Sequence, residues 1–278
     1  MKIKLLALLL IPSSVWAFDL GGLITSISDT VKNTAEANRT ISPEEEQLVG
    51  AGLASNLLGA APLVASPALQ HYVNQVGMWV AKQSEQPNLA WHFGVIDSPN
   101  INAFATPGGY ILLTRGLMNI LRSEAELATV LGHEIGHVLK HHHMRAIQAD
   151  KGKEAFGSAL QGVVAYKDGG AKNQLGANVI KGFSETYIRG LDKGDEYEGD
   201  VIGMVLAARA GYNPYALVSV LQTMAAINPQ DSTVALMFST HPSPSDRLNK
   251  IDQVIGDKLE SFAGGIENTK RFQALKSK

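Results

Sequence analysis

Ser123 to His143 reads S-E-A-E-L-A-T-V-L-G-H-E-I-G-H-V-L-K-H-H-H, with His133, Glu134 and His137 in the H-E-x-x-H spacing by which one helix presents two imidazoles to a zinc ion. Ser123 as N-cap with Glu126 three residues on, acidic residues in the first turn and basic residues in the last predict that the stretch is helical. At about 100° per residue, His133 and His137 lie within about 40° of each other and about 6 Å apart along the axis. Both rings can reach one ion. Glu134 lies one residue round from His133, where it can take a proton from water beside the metal without displacing the second histidine.

Two helical histidines leave a zinc ion short of a third protein ligand. The segment Asp192 to Asp200, D-K-G-D-E-Y-E-G-D, is the richest source of one. Glu196 and Asp200 are four apart and share a helical face, so one carboxylate can ligate zinc while the other accepts the N–H of a ligating histidine and fixes its tautomer. Glu198 competes on composition, but it lies about 200° round the helix from Glu196, so only one of the two can face the metal.

The chain has 278 residues, 45% of them hydrophobic, which suits one large domain or two small ones. A formal net charge of -2 and the lack of a basic stripe with interleaved aromatics argue against nucleic acid as a partner. The opening M-K-I-K-L-L-A-L-L-L-I-P-S-S-V-W-A has the basic, apolar and small-residue parts of a secretory signal peptide over residues 1–17, with cleavage expected after Ala17. Its apolar run from Leu5 to Ile11 is far short of the roughly 20 residues of a transmembrane span. The absence of cysteine excludes disulfides and attachment through a lipidated N-terminal cysteine. Together these features predict a protein of a bacterial periplasm.

Residues 18–41 show no clear periodicity and read as an N-terminal segment. Ser42-Pro43 then opens a helix toward Leu58, and its Gly- and Ala-rich continuation to Ala65 reads as soluble core. Ser66-Pro67 opens another helix, with Leu69, Tyr72, Val73, Val76 and Val80 on one side. Leu89 to Ile96 alternates as a strand, with Trp91, Phe93 and Val95 on one face and His92 solvated on the other. After a turn from Asp97 to Asn102, Gly109 to Thr114 reads as a second strand beside the zinc helix. Gly109, Tyr110 and Ile111 are expected to offer a backbone edge to an extended peptide, the alternative being an inner strand. A short helix follows from Arg115 to Leu121. Residues 149–172, interrupted by glycines, read as a flap or a loose connection. A helical pattern resumes at about Asn173 and ends at Gly211, another helix starts at Asn213-Pro214, and an amphipathic, basic-tipped helix closes the chain.

H-E-I-G-H followed about 60 residues later by E-Y-E-G-D resembles the gluzincin metallopeptidases of peptidase family M48, the HtpX and Ste-type proteases. The run N-A-F-A-T-P-G-G-Y-I-L-L-T-R-G-L-M from Asn102 to Met118, and H-P-S-P-S-D-R from His241 to Arg247, are similar to the same family. His142 matches a further frequent family histidine. The resemblance runs from about Ser42 to Ile255. It implies an α+β, mainly helical zincin-type metallopeptidase domain over residues 42–255, with a small β-sheet beside the zinc helix and a C-terminal helical tail over 256–278. It also implies one Zn2+ per chain held by His133, His137 and Glu196, with Glu134 as general base and Asp200 on a ligating histidine. Where the family usually has alanine before that aspartate, this chain has Gly199, which costs roughly 1 kcal/mol of helix propensity and is expected to loosen the site locally.

Through the family's periplasmic branch, the resemblance implies an endopeptidase acting on unfolded or misassembled envelope or outer-membrane proteins, with outer-membrane assembly factors as partners. His241 is then an electrophile that shares the charge on the tetrahedral oxygen, or a fourth zinc ligand that keeps the enzyme latent. Arg247 binds a substrate carboxylate or holds its own loop, and Asn102 bonds substrate backbone or caps the turn before the strand. His141, His142 and His143, at a helix C-terminus, read as cations or caps in preference to a second metal site. Two rivals stand beside the endopeptidase: a chaperone-like peptide binder with a latent or structural zinc, and a zinc hydrolase of non-peptide amides. Glu134 argues against the first, because a structural zinc needs no base; the expected edge strand argues against the second.

Overall fold

The computed structural model describes residues 42–151 and 190–276. The expected signal peptide and N-terminal segment, the flap beyond residue 151 and the helical pattern before residue 190 lie outside the described residues. Ser42 begins α1 (Pro43–Ala60) with a reciprocal capping box, its Oγ accepting from Glu45 N at 3.2 Å while its own N–H donates to Glu45 Oε2 at 3.0 Å. Ser66 caps α2 (Pro67–Ala81), which buries Val73, Val76 and Val80.

Three strands follow: β1 (His92–Ile96), β2 (Ala103–Thr106) and β3 (Tyr110–Thr114), in the order β1-β3-β2. β1 runs parallel to β3 and β2 antiparallel to it. Trp91, Phe93 and Val95 are buried, and the exposed His92 ring stacks on Tyr110 at 4.7 Å between centroids. The order corrects one expectation. Gly109, Tyr110 and Ile111 form no edge, because β3 is the central strand, with His92–Ile96 on one side and Ala103–Thr106 on the other. The reason is the apolar run Ile111-Leu112-Leu113, every member of which is buried, as an inner strand requires. The outer place beside the cleft is taken by the four residues A-F-A-T.

Thr114 caps the short α3 (Arg115–Ile120), and α4 (Glu124–Leu139) carries the two motif histidines. Ser123 Oγ accepts from Glu126 N at 3.2 Å. Every residue of α4 from Glu124 to Val138 is buried, which makes it the central helix of the core. After α5 (His142–Lys151) the described chain resumes at α6 (Lys193–Arg209), followed by α7 (Ala216–Ala225), α8 (Ala235–Thr240), α9 (Pro244–Val254) and α10 (Thr269–Lys276). α6 lies against α4 along much of its length. They come this close because glycines face one another: a Cβ on Gly203 would lie 2.8 Å from His133 N and 2.9 Å from Thr129 O, and one on Gly132 would lie 2.9 Å from Gly203 O.

The closing helix α10 belongs to the same core. Phe272 is fully buried, its ring 6.3 Å from that of Tyr72. Glu124, at the start of α4, gathers Tyr212 Oη at 2.8 Å, Asn268 Nδ2 at 2.8 Å, Arg271 Nε at 2.8 Å and the Tyr72 hydroxyl. The architecture is α+β and mainly helical, and no helix among the described residues is long and apolar enough to cross a membrane.

Candidate metal centre

One turn of α4 separates His133 from His137, and their Nε2 atoms approach to 2.9 Å. From α6, Glu196 comes in opposite: its Oε2 lies 3.7 Å from His133 Nε2 and its Oε1 3.7 Å from His137 Nε2. The ligand atoms of these three buried side chains all lie within 4.8 Å of one another. Glu196 stands in the first turn of α6, where unpaired backbone N–H groups favour a carboxylate.

Glu196 Oε2 is buried without a hydrogen-bond partner among the described residues. Burial drives this carboxyl well above its ordinary range, with the charges of Asp200, Glu134 and Asp195 adding and Arg247 opposing. Burial likewise holds His133 and His137 below the usual imidazole value, so both rings are neutral and keep a lone pair to give. An orphaned carboxylate oxygen facing two neutral imidazoles fits a metal cation. Without one, the unpartnered oxygen costs about 1–3 kcal/mol or more.

Behind the three lies a second set of contacts. Asp200 Oδ1 sits 3.0 Å from His133 Nδ1, so a proton on that nitrogen is held and Nε2 keeps its lone pair toward His137 and Glu196. Burial raises the Asp200 carboxyl, but Arg247 and His133 outweigh it and hold the group at about 2. Arg247 is itself buried, with Nε donating to Asp200 Oδ2 at 2.9 Å and Nη2 to Oδ1. Arg247, expected to bind substrate or hold its loop, thus pairs with Asp200 and also lines the recess beside Glu134 and His241. At Gly199 a Cβ would lie 3.0 Å from His133 Cε1 and 3.1 Å from His137 Cε1, so the glycine is where α6 closes on both rings.

Glu134 is buried beside the cluster and lines a cleft shared with Asn102, Ala103, His137, Glu196 and His241. Burial lifts its carboxyl to about 8 against the pull of Arg247. His241 ends α8, with Nδ1 2.9 Å from Thr240 Oγ1 and Nε2 3.7 Å from Glu196 Oε2. It thus borders the group formed by His133, His137 and Glu196 without belonging to it. Asn102 lines the cleft while its backbone pairs with Thr114 and its Oδ1 accepts from Ala103 N at 3.0 Å. Beside Glu134 and His241 a recess opens toward Leu117, Val130, Leu217, Val220, Met224 and Met237, an apolar wall that the sequence did not announce.

Of the three histidines after α4, His143 lines the cleft with Glu134 and the other two divide. His141 pairs with the Glu46 carboxylate at 2.9 Å near the surface, which fits the cation reading and not a cap. His142 departs from that expectation: it is fully buried, with Nδ1 2.7 Å from His137 Nδ1 and Nε2 3.2 Å from Glu198 Oε2. Glu198, two residues on from Glu196, therefore faces a different histidine.

Comparison with known proteins gives this centre its relatives. Residues 67–255 match the model of peptidase family M48. The chain is 30% identical over 219 residues to the beta-barrel assembly-enhancing protease of Yersinia pestis, covering 77% of this chain and 44% of that protein. It is 28% identical over 252 residues to the protein of the same name from Escherichia coli (strain K12), covering 86% and 50%. With the mitochondrial metalloendopeptidase OMA1 of Arabidopsis thaliana it shares 30% identity over 174 residues, 62% of this chain and 33% of that one. The chain thus spans half or less of the length of these curated relatives. With the family's model matched across the sheet, the histidine helix and the carboxylate helix, the chain belongs to peptidase family M48.

Proposed function

We propose that this chain is a zinc-dependent metalloendopeptidase of the bacterial periplasm that cleaves unfolded or misassembled envelope proteins. The observation that carries the reading is the meeting of His133, His137 and Glu196 ligand atoms within 4.8 Å, beside the buried Glu134. Two imidazoles and one carboxylate are the protein ligand set of a catalytic zinc, which supplies Lewis-acid polarisation and lowers the pKa of water when bound.

Glu134 takes the proton of the attacking water onto its carboxylate and returns it to the leaving amine nitrogen. Its place inside the cleft, away from bulk water, keeps that proton between the two partners. His241, held through Nδ1 by Thr240 Oγ1 at 2.9 Å and Met237 O at 3.3 Å, faces the cleft with Nε2 and donates from there to the oxygen on which negative charge develops when the ring is the imidazolium. Asp200, pinned by Arg247, keeps His133 turned toward the centre. The apolar wall from Leu117 to Met237 suits hydrophobic side chains that a folded protein hides and an unfolded one exposes.

Periplasmic placement rests on the signal-like residues 1–17, and the substrate class on relatives named for assembly of β-barrels. Outer-membrane assembly factors are proposed partners on the same ground. We assign the peptidase domain to residues 42–255, preceded by the segment 18–41, with 256–278 as the C-terminal helical tail docked on it. The test is cleavage of unfolded casein by the purified protein after stripping with a chelator and after adding back one equivalent of zinc. Cleavage that disappears and returns supports the reading. A metal-restored protein that binds casein without cutting it supports the peptide-binding rival.

A further inference from the structure

We propose that His142 is a positioning residue for the metal centre: it accepts the Nδ1–H of His137 and passes its own Nε2–H to Glu198, so that a carboxylate of α6 orients His137 through an intervening imidazole. The inference rests on the zinc reading above. If His137 turns Nε2 to the centre as a ligand, its proton must sit on Nδ1. The only atom 2.7 Å from that nitrogen in the described contacts is His142 Nδ1, which must then be the acceptor. His142 is consequently protonated on Nε2, which lies 3.2 Å from Glu198 Oε2 and 3.5 Å from Asp195 Oδ1. One choice of ligating atom thus fixes the protons of both rings.

The surrounding chain is built to hold this arrangement. α4 stops at Leu139, and His141 takes a left-handed backbone with φ 53, an unfavourable turn for a residue with a side chain. That turn folds His142 back beneath His137. Lys140 Nζ stands 3.0 Å from Glu198 Oε1, and Arg145 Nη2 2.7 Å from Asp195 Oδ1. Glu198 is thus buried between the His142 ring and the Lys140 ammonium, placed to accept from His142 Nε2. The result matches the other ligand: His133 Nδ1 meets a carboxylate of α6 directly at Asp200, and His137 Nδ1 meets one at Glu198 through His142.

The same atoms argue against a second ion among His142, Asp195 and Glu198, although their ligand atoms also lie within 4.8 Å of one another. Ligation through His142 Nε2 would move its proton to Nδ1, and two N–H groups would then confront each other at 2.7 Å. Lys140 Nζ and Arg145 Nη2 already stand 3.0 and 2.7 Å from the two carboxylates, although Glu198 Oε1 makes no hydrogen bond among the described residues.

The test is the zinc dissociation constant and stoichiometry, measured by competition with a chromophoric chelator, for the parent, His142→Phe and His142→Gln. Phenylalanine keeps a ring but cannot accept; glutamine retains a carbonyl oxygen that can. We expect His142→Phe to weaken zinc binding by about 10–100-fold, with His142→Gln recovering most of the loss. Equal affinity in parent and His142→Phe overturns the proposal, as does an equal loss in both variants that tracks a fall in the melting temperature of the metal-free protein. A second zinc in the parent, lost in His142→Phe, overturns it in favour of ligation. A parent that binds no zinc overturns the metal reading and the relay with it. Should His142→Phe fail to fold, nitrogen NMR of the zinc-loaded parent with labelled histidine decides: the proposal requires a proton on His142 Nε2 and none on His142 Nδ1, and the opposite tautomer refutes it.

Discussion

Arg247 and Asp200, 47 residues apart in sequence, form a buried two-pronged ion pair, with Arg247 Nε donating to Asp200 Oδ2 at 2.9 Å and Asp200 Oδ1 left 3.0 Å from His133 Nδ1. The pair ties α9 to α6 and orients an imidazole of the candidate metal centre. Arg247→Ala strands the Asp200 charge in the interior, so a loss of about 3–5 kcal/mol in unfolding free energy is expected from denaturant titration. Asp200→Asn keeps the shape but lets the amide present N–H to His133; zinc affinity should fall about 10–100-fold in a chelator competition.

His241 separates two accounts of the cleft. If it stabilises the developing oxyanion, His241→Ala lowers kcat about 100-fold or more with little change in KM. If it instead closes the centre as a further ligand, the same variant is more active than the parent. Kinetics on a fluorogenic peptide distinguishes these.

Gly203 sets how near α6 comes to α4. Gly203→Ala places a methyl 2.8 Å from His133 N and 2.9 Å from Thr129 O, both backbone atoms of the histidine helix. Overpacking of this kind costs about 1–3 kcal/mol, and it should also weaken zinc binding, because the helices that carry the histidines and Glu196 are pushed apart. Thermal unfolding and metal titration of the variant give the two readings.

Glu124 confers an acid sensitivity remote from the metal. Burial raises its carboxyl, but Arg271, Tyr72, Asn268 and Tyr212 together hold it below the ordinary 4.5. A lowered folded-state pKa stabilises the fold in full above 4.5 and loses that contribution as pH falls through the folded-state value. Glu124→Gln should therefore be less stable than the parent by about 2 kcal/mol at neutral pH, and the two stability curves should converge in acid. A constant gap down to low pH contradicts this.

What the sequence made legible follows from distance along the chain. Ser123, His133, Glu134 and His137 lie within one helix, so capping and angular spacing sufficed to place them. Glu196 is far along the chain; spacing alone offered it beside Glu198, and resemblance chose between them. β3 was misread because a buried apolar strand looks alike at an edge and at the centre of a sheet, and the outer strand, Ala103–Thr106, is too short to show a pattern. Nothing local marks the pairing of Arg247 with Asp200, which only the folded chain brings together. His142 looked like a helix cap because its burial depends on a left-handed turn at His141, made without the glycine that would have signalled it.

The central claim is that Glu134 moves the proton at a zinc centre held by His133, His137 and Glu196. The most direct measurement sets casein cleavage and bound zinc for Glu134→Gln beside the parent. We predict one zinc per chain in both proteins, and cleavage by the parent that falls by at least about 100-fold in the variant. Cleavage by the variant at the parental rate, with zinc in place, would contradict the account.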